Sequence, residues 1–445
     1  MNFGSPRVLI MDDREDEGIR IAKALWESGL AARFVKYDEK ILVKAAKRKL
    51  RGVRVFFMDI NLLGGAMGAE QMNFSVIQQC IQSFIDEDNG PFLLITWSSH
   101  DDYADRLFAY LKERLPEQLK PAATARLDKS SFFGRNKPRL KAEMEKRLVS
   151  SSYFTLLWSW ESAVSESAAH VTSQVAELAL GVDGGKPNSI GTVLKALATA
   201  EAGKRLSAKN AVRSYSSVLN QILLDCTEAR IPQQVKPALT ADLMNLSDGG
   251  KVAPWKRRAN RMINIDETLH EGGHSPGDVY PYPEYSSRSK RPLPNVEHDK
   301  FLIENFVGAD FAKVKAKADA DKQKSDLVKD WKLVLVEVTP PCDHAQAKQV
   351  WHRYVVGAEM SEESSNTKNA IPSKADYLMK LPAVRLISED KPQVLILNSR
   401  LVVSISPKEA GRIKKRKYRL RGQLLGDVIG WLSRQQSRIG YVLVP

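Results

Sequence analysis

Cysteine is scarce in this sequence of 445 residues: Cys80, Cys226 and Cys342 lie far apart and form no Cys-x-x-Cys pair. That excludes a disulfide framework and a four-thiolate zinc site, and makes reduced thiols the expected state. Long apolar runs are also missing. None approaches the roughly 20 residues of a membrane-spanning helix, and the opening MNFGSPRVLIMDDRED places acids where a signal peptide needs an apolar stretch. The expectation is a cytoplasmic protein without membrane contact. What is present, 43% apolar and 27% charged residues, is enough to build real cores, so wholesale disorder and fibrous repeats are excluded. The length exceeds one compact domain of ordinary size and predicts two or three.

The net charge of +14 is unevenly placed. Residues 1–150 carry 25 basic and 21 acidic side chains, 151–250 carry 8 and 9, and 251–445 carry 34 and 23. The densest basic run, 412–421, holds Arg412, Lys414, Lys415, Arg416, Lys417, Arg419 and Arg421 with no acid. Such a run can track phosphates, since each neutralised phosphate releases a counterion. It can equally be a solvated basic face, and charge alone identifies no groove-reading element, so the solvated face is favoured.

Residues 7–129 alternate short apolar runs with amphipathic stretches. The apolar runs are Arg7 to Met11, Ala32 to Lys36, Val53 to Met58, Phe92 to Trp97 and Ala123 to Leu127. The helical patterns are Glu15 to Ser28, Lys40 to Leu50, Ala69 to Asp86, Tyr103 to Leu115 and Lys137 to Leu148. Five strand-then-helix units of this kind predict an α/β, doubly wound, five-stranded parallel sheet over 1–150, with its site at the carboxyl ends of the strands. From Tyr153 to about Arg230 the apolar spacing turns helical, giving a helical middle region over 151–248. Its first helix either pairs two copies as a homodimer or lies on its own domain, and a single apolar stripe favours the second. After Gly249-Gly250, short β-like runs predict a β-rich α+β domain over 249–445, closed by a helix over Leu420 to Gly440. There, Val394 to Leu397 and Leu401 to Ile405 are expected as separate strands, and 361–369 as a flexible loop.

The ends of strands one, three, four and five present Asp12 and Asp13, Asp59, Thr96 with Ser98, and Lys129. Carboxylates that converge within a few Å repel one another and favour a divalent cation, and Mg²⁺ takes one or two carboxylates while keeping waters and a phosphate oxygen. One carboxylate oxygen can then serve as nucleophile, while a lysine and a hydroxyl hold phosphoryl oxygens. The residue types match an aspartyl-phosphate site.

The segments VLIMDD, FFMDINL, LLITWSS and RLDKSSF, in that order, resemble the receiver domain of two-component response regulators, over about residues 5–150. The resemblance implies a flavodoxin-like fold, Asp59 as phosphoacceptor, Mg²⁺ held by Asp12, Asp13, Asp59 and the carbonyl of Asn61, Thr96 as switch hydroxyl and Lys129 as phosphoryl-binding lysine. It also implies a sensor histidine kinase as phosphoryl donor. Trp97 stands where the family has a small residue, which leaves Ser98 as an alternative switch hydroxyl. Arg126 replaces the family's switch aromatic, Ser130 its proline, and Gly64-Gly65-Ala66-Met67-Gly68 lengthens the loop after Asp59. A receiver reduced to a scaffold generally loses the acceptor or the lysine; this sequence keeps both.

Outside that region the most pointed motif is Pro340-Pro341-Cys342-Asp343-His344. It reads as a turn with a buried cysteine, or as a thiolate nucleophile or zinc site completed by His270, His274, His298 or His352. The whole layout resembles the effector-less receiver protein of the two-component-like phage-defence system Detocs, which implies a phosphate-sink or regulatory role beside a receiver-bearing effector protein. Two functions from different classes follow. One is a phosphoacceptor with no enzymatic activity beyond its own phosphorylation and slow dephosphorylation. The other is a response regulator whose basic C-terminal domain binds nucleic acid.

Overall fold

A computed structural model of the chain describes residues 6–27, 30–63, 70–97, 102–128, 152–182, 189–203, 206–208, 210–234, 244–245, 254–268, 274–283, 297–309, 311, 317–345, 351–372, 375–413 and 415–437. The chain divides into two compact units, Met1–Gln174 with Ile222–Leu246, and Val175–Gln221 with Ser247–Pro445. None of the described helices is long and apolar enough to cross a membrane.

In the first unit five strands, β1 (Val8–Asp12), β2 (Ala32–Lys36), β3 (Val55–Asp59), β4 (Leu93–Trp97) and β5 (Ala123–Leu127), form one parallel sheet in the order β2-β1-β3-β4-β5. This is the flavodoxin-like doubly wound order. Every residue of β1, β3 and β4 is buried, whereas the edge strands β2 and β5 are only partly so. That is why the inner strands read as unbroken apolar runs: both of their faces are covered.

The helices α1 (Glu15–Glu27), α2 (Glu39–Ala46), α3 (Glu70–Phe84) and α4 (Asp102–Arg114) follow β1 to β4 in turn. One face of the sheet, with Leu9, Met11, Phe56, Met58 and Leu94, packs on Ile77 and Ile81 of α3 and Leu107 and Leu111 of α4. The other face, with Ile10, Phe57, Ile95 and Trp97, packs on Ile21 and Leu25 of α1 and on Phe154 of α5 (Ser152–Leu180). At Gly18, α1 lies so close to β2 that a Cβ would sit 2.0 Å from the Phe34 ring, so only glycine fits. Helix α5 is clamped to the sheet by ions as well. Glu161 receives Nε of Arg54 at 2.5 Å and stands 3.5 Å from Arg7. The start of the first middle helix therefore lies on its own sheet, the favoured of the two expected arrangements. The helix expected over 137–148 falls outside the described residues.

The middle region continues with α6 (Ser189–Ala202) and α7 (Ala211–Gln234). The second unit then supplies α8 (Pro254–Asn264), β6 (Ile265–Asp266), β7 (Asp278–Pro281), α9 (His298–Phe306), α10 (Lys317–Val328), β8 (Lys332–Glu337), β9 (His352–Ser361), β10 (Leu378–Lys380), β11 (Gln393–Ile405), β12 (Tyr418–Leu420) and α11 (Gly422–Gln436). Its seven strands pair antiparallel in the order β10-β11-β9-β8-β7-β12-β6. One face, with Val334, Val336, Val355 and Leu397, is covered by Leu424, Val428 and Trp431 of α11. The other, with Leu335, Tyr354, Val356 and Ile396, is covered by Leu302 and Phe306 of α9 and by Val328.

Two local expectations differ from what is found. The runs 394–397 and 401–405 form one strand, β11, because it keeps pairing with β9 across a register shift between Leu397 and Val402. Residues 361–369 include a capped turn of helix at Glu362–Ser365, with the Ser361 side chain accepting from the Ser364 amide at 3.2 Å, so Ser361 acts as its N-cap, and Ser365 is buried.

Candidate functional site

In the first unit the chain leaves β1 for β2 on one side and returns with β3 on the other, so the strand order reverses at the β1/β3 crevice, where doubly wound sheets place their ligands. The last residues of those two strands are Asp12 and Asp59. Both are buried, at 1% and 5% exposure, and Asp13, on the loop after β1, is half-buried. Each of the three contributes a carboxylate oxygen to a group whose members all lie within 4.8 Å of one another.

Short backbone bonds hold the acids in place. Asp12 Oδ1 accepts from the Arg14 amide at 2.9 Å and Asp59 Oδ1 from the Asn61 amide at 3.2 Å. Buried Asn73 of α3 accepts from the Leu63 amide at 3.3 Å and so fastens the start of the loop that leaves Asp59. Sequence reasoning missed Asn73; a polar residue in helical register with the apolar stripe of Ile77, Cys80 and Ile81 was the available signal. Three converging oxygens fit one small divalent cation, because an octahedral ion with bonds of about 2.1 Å spaces neighbouring ligands about 3 Å apart and opposite ones about 4 Å apart. The donor set is oxygen only, the chemistry of Mg²⁺ rather than of thiophilic metals.

Thr96 is fully buried in β4, beside Met58 of β3, and its hydroxyl lies 3.4 Å from the Ala125 carbonyl of β5. Trp97, not Thr96, stands level with Asp59 in the β3–β4 register. Its ring packs edge-on against Phe57 at 6.5 Å, in the same cluster as Phe154. Arg126 stands level with Thr96 on β5. Lys129, Ser98, Ser130 and residues 64–68 lie outside the described residues, as does His270.

In the second unit, Pro341–Ala345 form a short helix, and Nε2 of His344 lies 2.6 Å from the His274 carbonyl. His274 and His352 have their rings 5.5 Å apart, whereas His298 pairs with its neighbour Asp299 at 3.1 Å. Much of the basic run is spent inside its own unit. Arg416 and Arg419 reach Oδ1 of fully buried Asp278 at 3.3 and 2.7 Å, Lys417 pairs with buried Glu359, and Nε of Arg421 donates to the Ile265 carbonyl at 3.1 Å.

No protein-family model and no curated protein matches the chain. Among solved structures it is similar to the Vibrio cholerae chemotaxis protein CheY4, with 14% identity over 32% of this chain and 99% of that one, at a TM-score of 0.22. It is also similar to full-length FixJ from B. japonicum, with 17% identity over 54% of this chain and 100% of that one, at a TM-score of 0.20. The fold of the first unit rests on its own strand order and register, with a carboxylate cluster at the switch point of a flavodoxin-like sheet.

Proposed function

We propose that the chain is a phosphoacceptor receiver protein of a two-component-type phosphorelay, taking a phosphoryl group on Asp59 from a partner sensor histidine kinase. The convergence of Asp12, Asp13 and Asp59 at the β1/β3 crevice is the observation that carries this reading. An Asp59 carboxylate oxygen attacks the phosphorus of the donor phosphohistidine. The P–N bond breaks, its electron pair stays on the imidazole nitrogen, which takes up a proton, and the product is an acyl phosphate. The Asn61 amide, already on Oδ1 of Asp59, keeps that carboxylate oriented during the attack. Asp12, Asp13, Asp59 and the Asn61 carbonyl hold Mg²⁺, which when bound offsets the charge on the phosphoryl oxygens. The Lys129 ammonium and the hydroxyl of Thr96 or Ser98 take the remaining oxygens.

The wider role follows from the Detocs resemblance: a regulator or phosphate sink in bacterial anti-phage defence, beside a receiver-bearing effector protein, in the cytoplasm, with no enzymatic activity beyond its own phosphorylation and slow dephosphorylation. The alternative, a nucleic-acid-binding C-terminal domain, is weakened by the four basic residues of 412–421 engaged within their own unit. A gel shift that persists at near-physiological salt and falls steeply above it would restore the alternative. The central test is uptake of acetyl phosphate or beryllofluoride with Mg²⁺. The wild type is expected to take it up and Asp59→Asn to take up none; equal uptake by both would sink the reading.

A further inference from the structure

Helix α8 of the second unit is inverted. A surface helix ordinarily turns its apolar stripe to the core and its polar face to water. In α8, with 3.6 residues per turn, Trp255, Arg258, Ala259, Met262 and Ile263 share one arc of about 140°. That arc faces solvent: Trp255 and Ile263 are each 56% exposed, Met262 is 69% exposed, and Arg258 is exposed as well.

The opposite arc is polar and ties the helix to its own unit. Arg257 pairs with Glu362, and Arg261 with Glu267 at 3.5 Å. Asn260 Nδ2 donates to the Ala383 carbonyl at 3.0 Å, and the Asn264 carbonyl accepts from the Arg421 amide at 2.8 Å. These bonds fix which side of the helix is outward, so its apolar residues cannot roll toward the core. The chain beside α8 extends the patch. Arg261 donates to the Arg385 carbonyl at 3.4 Å, and Glu267 accepts from the amide of Ile387, which is 76% exposed.

Charge says what covers this face. Arg258 and Arg385 are exposed and have no carboxylate partner among the described residues, and Lys256 lies 5.9 Å from the centre of the Trp255 ring. Residues 251–445 as a whole carry 34 basic side chains against 23 acidic. The occupant therefore brings negative charge together with an apolar phase. A second copy of the chain would bring the same arginines to the same place and be repelled. A partner helix needs a groove, whereas side chains more than half exposed stand out as a ridge. An anionic phospholipid surface meets both demands: aliphatic side chains and the Trp ring enter the boundary between headgroups and acyl chains, and the bases meet phosphates.

We propose that α8, with Arg385 and Ile387 beside it, is a docking surface for an anionic phospholipid bilayer, the helix lying in the plane of the interface. The expectation of no membrane contact rested on the lack of a spanning apolar run, and a helix that lies in the interface needs none.

The experiment sediments the full chain with vesicles of phosphatidylcholine alone and of phosphatidylcholine mixed with phosphatidylglycerol. Binding is expected to the mixed vesicles, weaker as salt rises, and equal in Asp59→Asn, which separates this face from the phosphoacceptor. Affinity should fall roughly tenfold or more when Met262→Glu and Ile263→Glu are combined, and about fivefold in Arg258→Glu and in Arg385→Glu. No binding of the wild type to the mixed vesicles, or equal binding by the Met262/Ile263 double variant, overturns the proposal. So does a lipid-free dimer that the double variant abolishes, since the face then belongs to a second copy. Should circular dichroism show a variant unfolded, the wild type decides: its tryptophan emission should shift to the blue with the mixed vesicles alone, and an unchanged spectrum overturns the proposal.

Discussion

At the carboxyl ends of β1 and β3 the first unit brings three carboxylates to one another, whereas the second unit brings each of three buried carboxylates to a base: Asp278 to Arg416 and Arg419, Glu359 to Lys417, and Glu337 to His352. Strand direction accounts for much of the difference. In a parallel sheet all carboxyl ends lie on one edge, so strands that end in Asp gather like charges there. In an antiparallel sheet the end of one strand meets the start of the next, as Glu337 at the end of β8 meets His352 at the start of β9. Like charges gathered at an edge create a demand for an external cation. Unlike groups brought together satisfy one another, and the unit retains them as part of its own core.

The largest effect should come from breaking a pair in the second unit. Asp278→Ala leaves two part-buried guanidinium groups facing a cavity, and a loss on the order of 3–5 kcal/mol is expected in denaturant unfolding followed by a probe in the second unit. A loss below about 1 kcal/mol would mean that both arginines find water instead. The opposite sign is expected at the acid cluster. Asp13→Asn removes one of three mutually repelling charges, so without divalent cations the variant should unfold at a higher midpoint, by on the order of 1 kcal/mol. It should also lose most of the rise in midpoint that Mg²⁺ gives the wild type by binding the folded state. Destabilisation by Asp13→Asn in the absence of cations would show that the cluster is a structural network like that of the second unit.

The smallest effect at neutral pH concerns Cys80 of α3, a buried group whose thiol is pushed up to about 12 by burial, against a backbone hydrogen bond that lowers it. Below the usual thiol value of 9.0 both folded and unfolded chains hold the proton, so the folded state bears no penalty. Above it the unfolded chain ionises first, and stability should fall by up to about 1.4 kcal/mol per pH unit until the folded thiol titrates. Peptide mapping after alkylation at pH 8.5 should find half-buried Cys226 modified and Cys80 untouched.

Much of the first unit was legible in the sequence because its signals are local. Five-residue apolar runs such as Val8 to Asp12, each followed by a helical period, carry their own direction, and an Asp closing two inner strands marks the edge where they meet. Less was legible where a role depends on a partner far along the chain. Glu161 reads as one acid in a helical stripe, yet it clamps α5 through Arg54 and Arg7. The run 412–421 reads as a free basic face, yet Asp278 and Glu359 absorb three of its charges.

The sequence alone determined that the N-terminal part is a parallel α/β sheet with its acids at strand ends, since burial on both faces and the period of the following helices are written in consecutive residues. The tertiary structure alone decided that β11 runs unbroken past Leu397, that Arg416, Lys417 and Arg419 of the basic run are paired within their own unit, and that His274 lies beside His352. Those outcomes are set by which strands become neighbours in an antiparallel sheet, and pairing between distant segments leaves no periodic mark on either one.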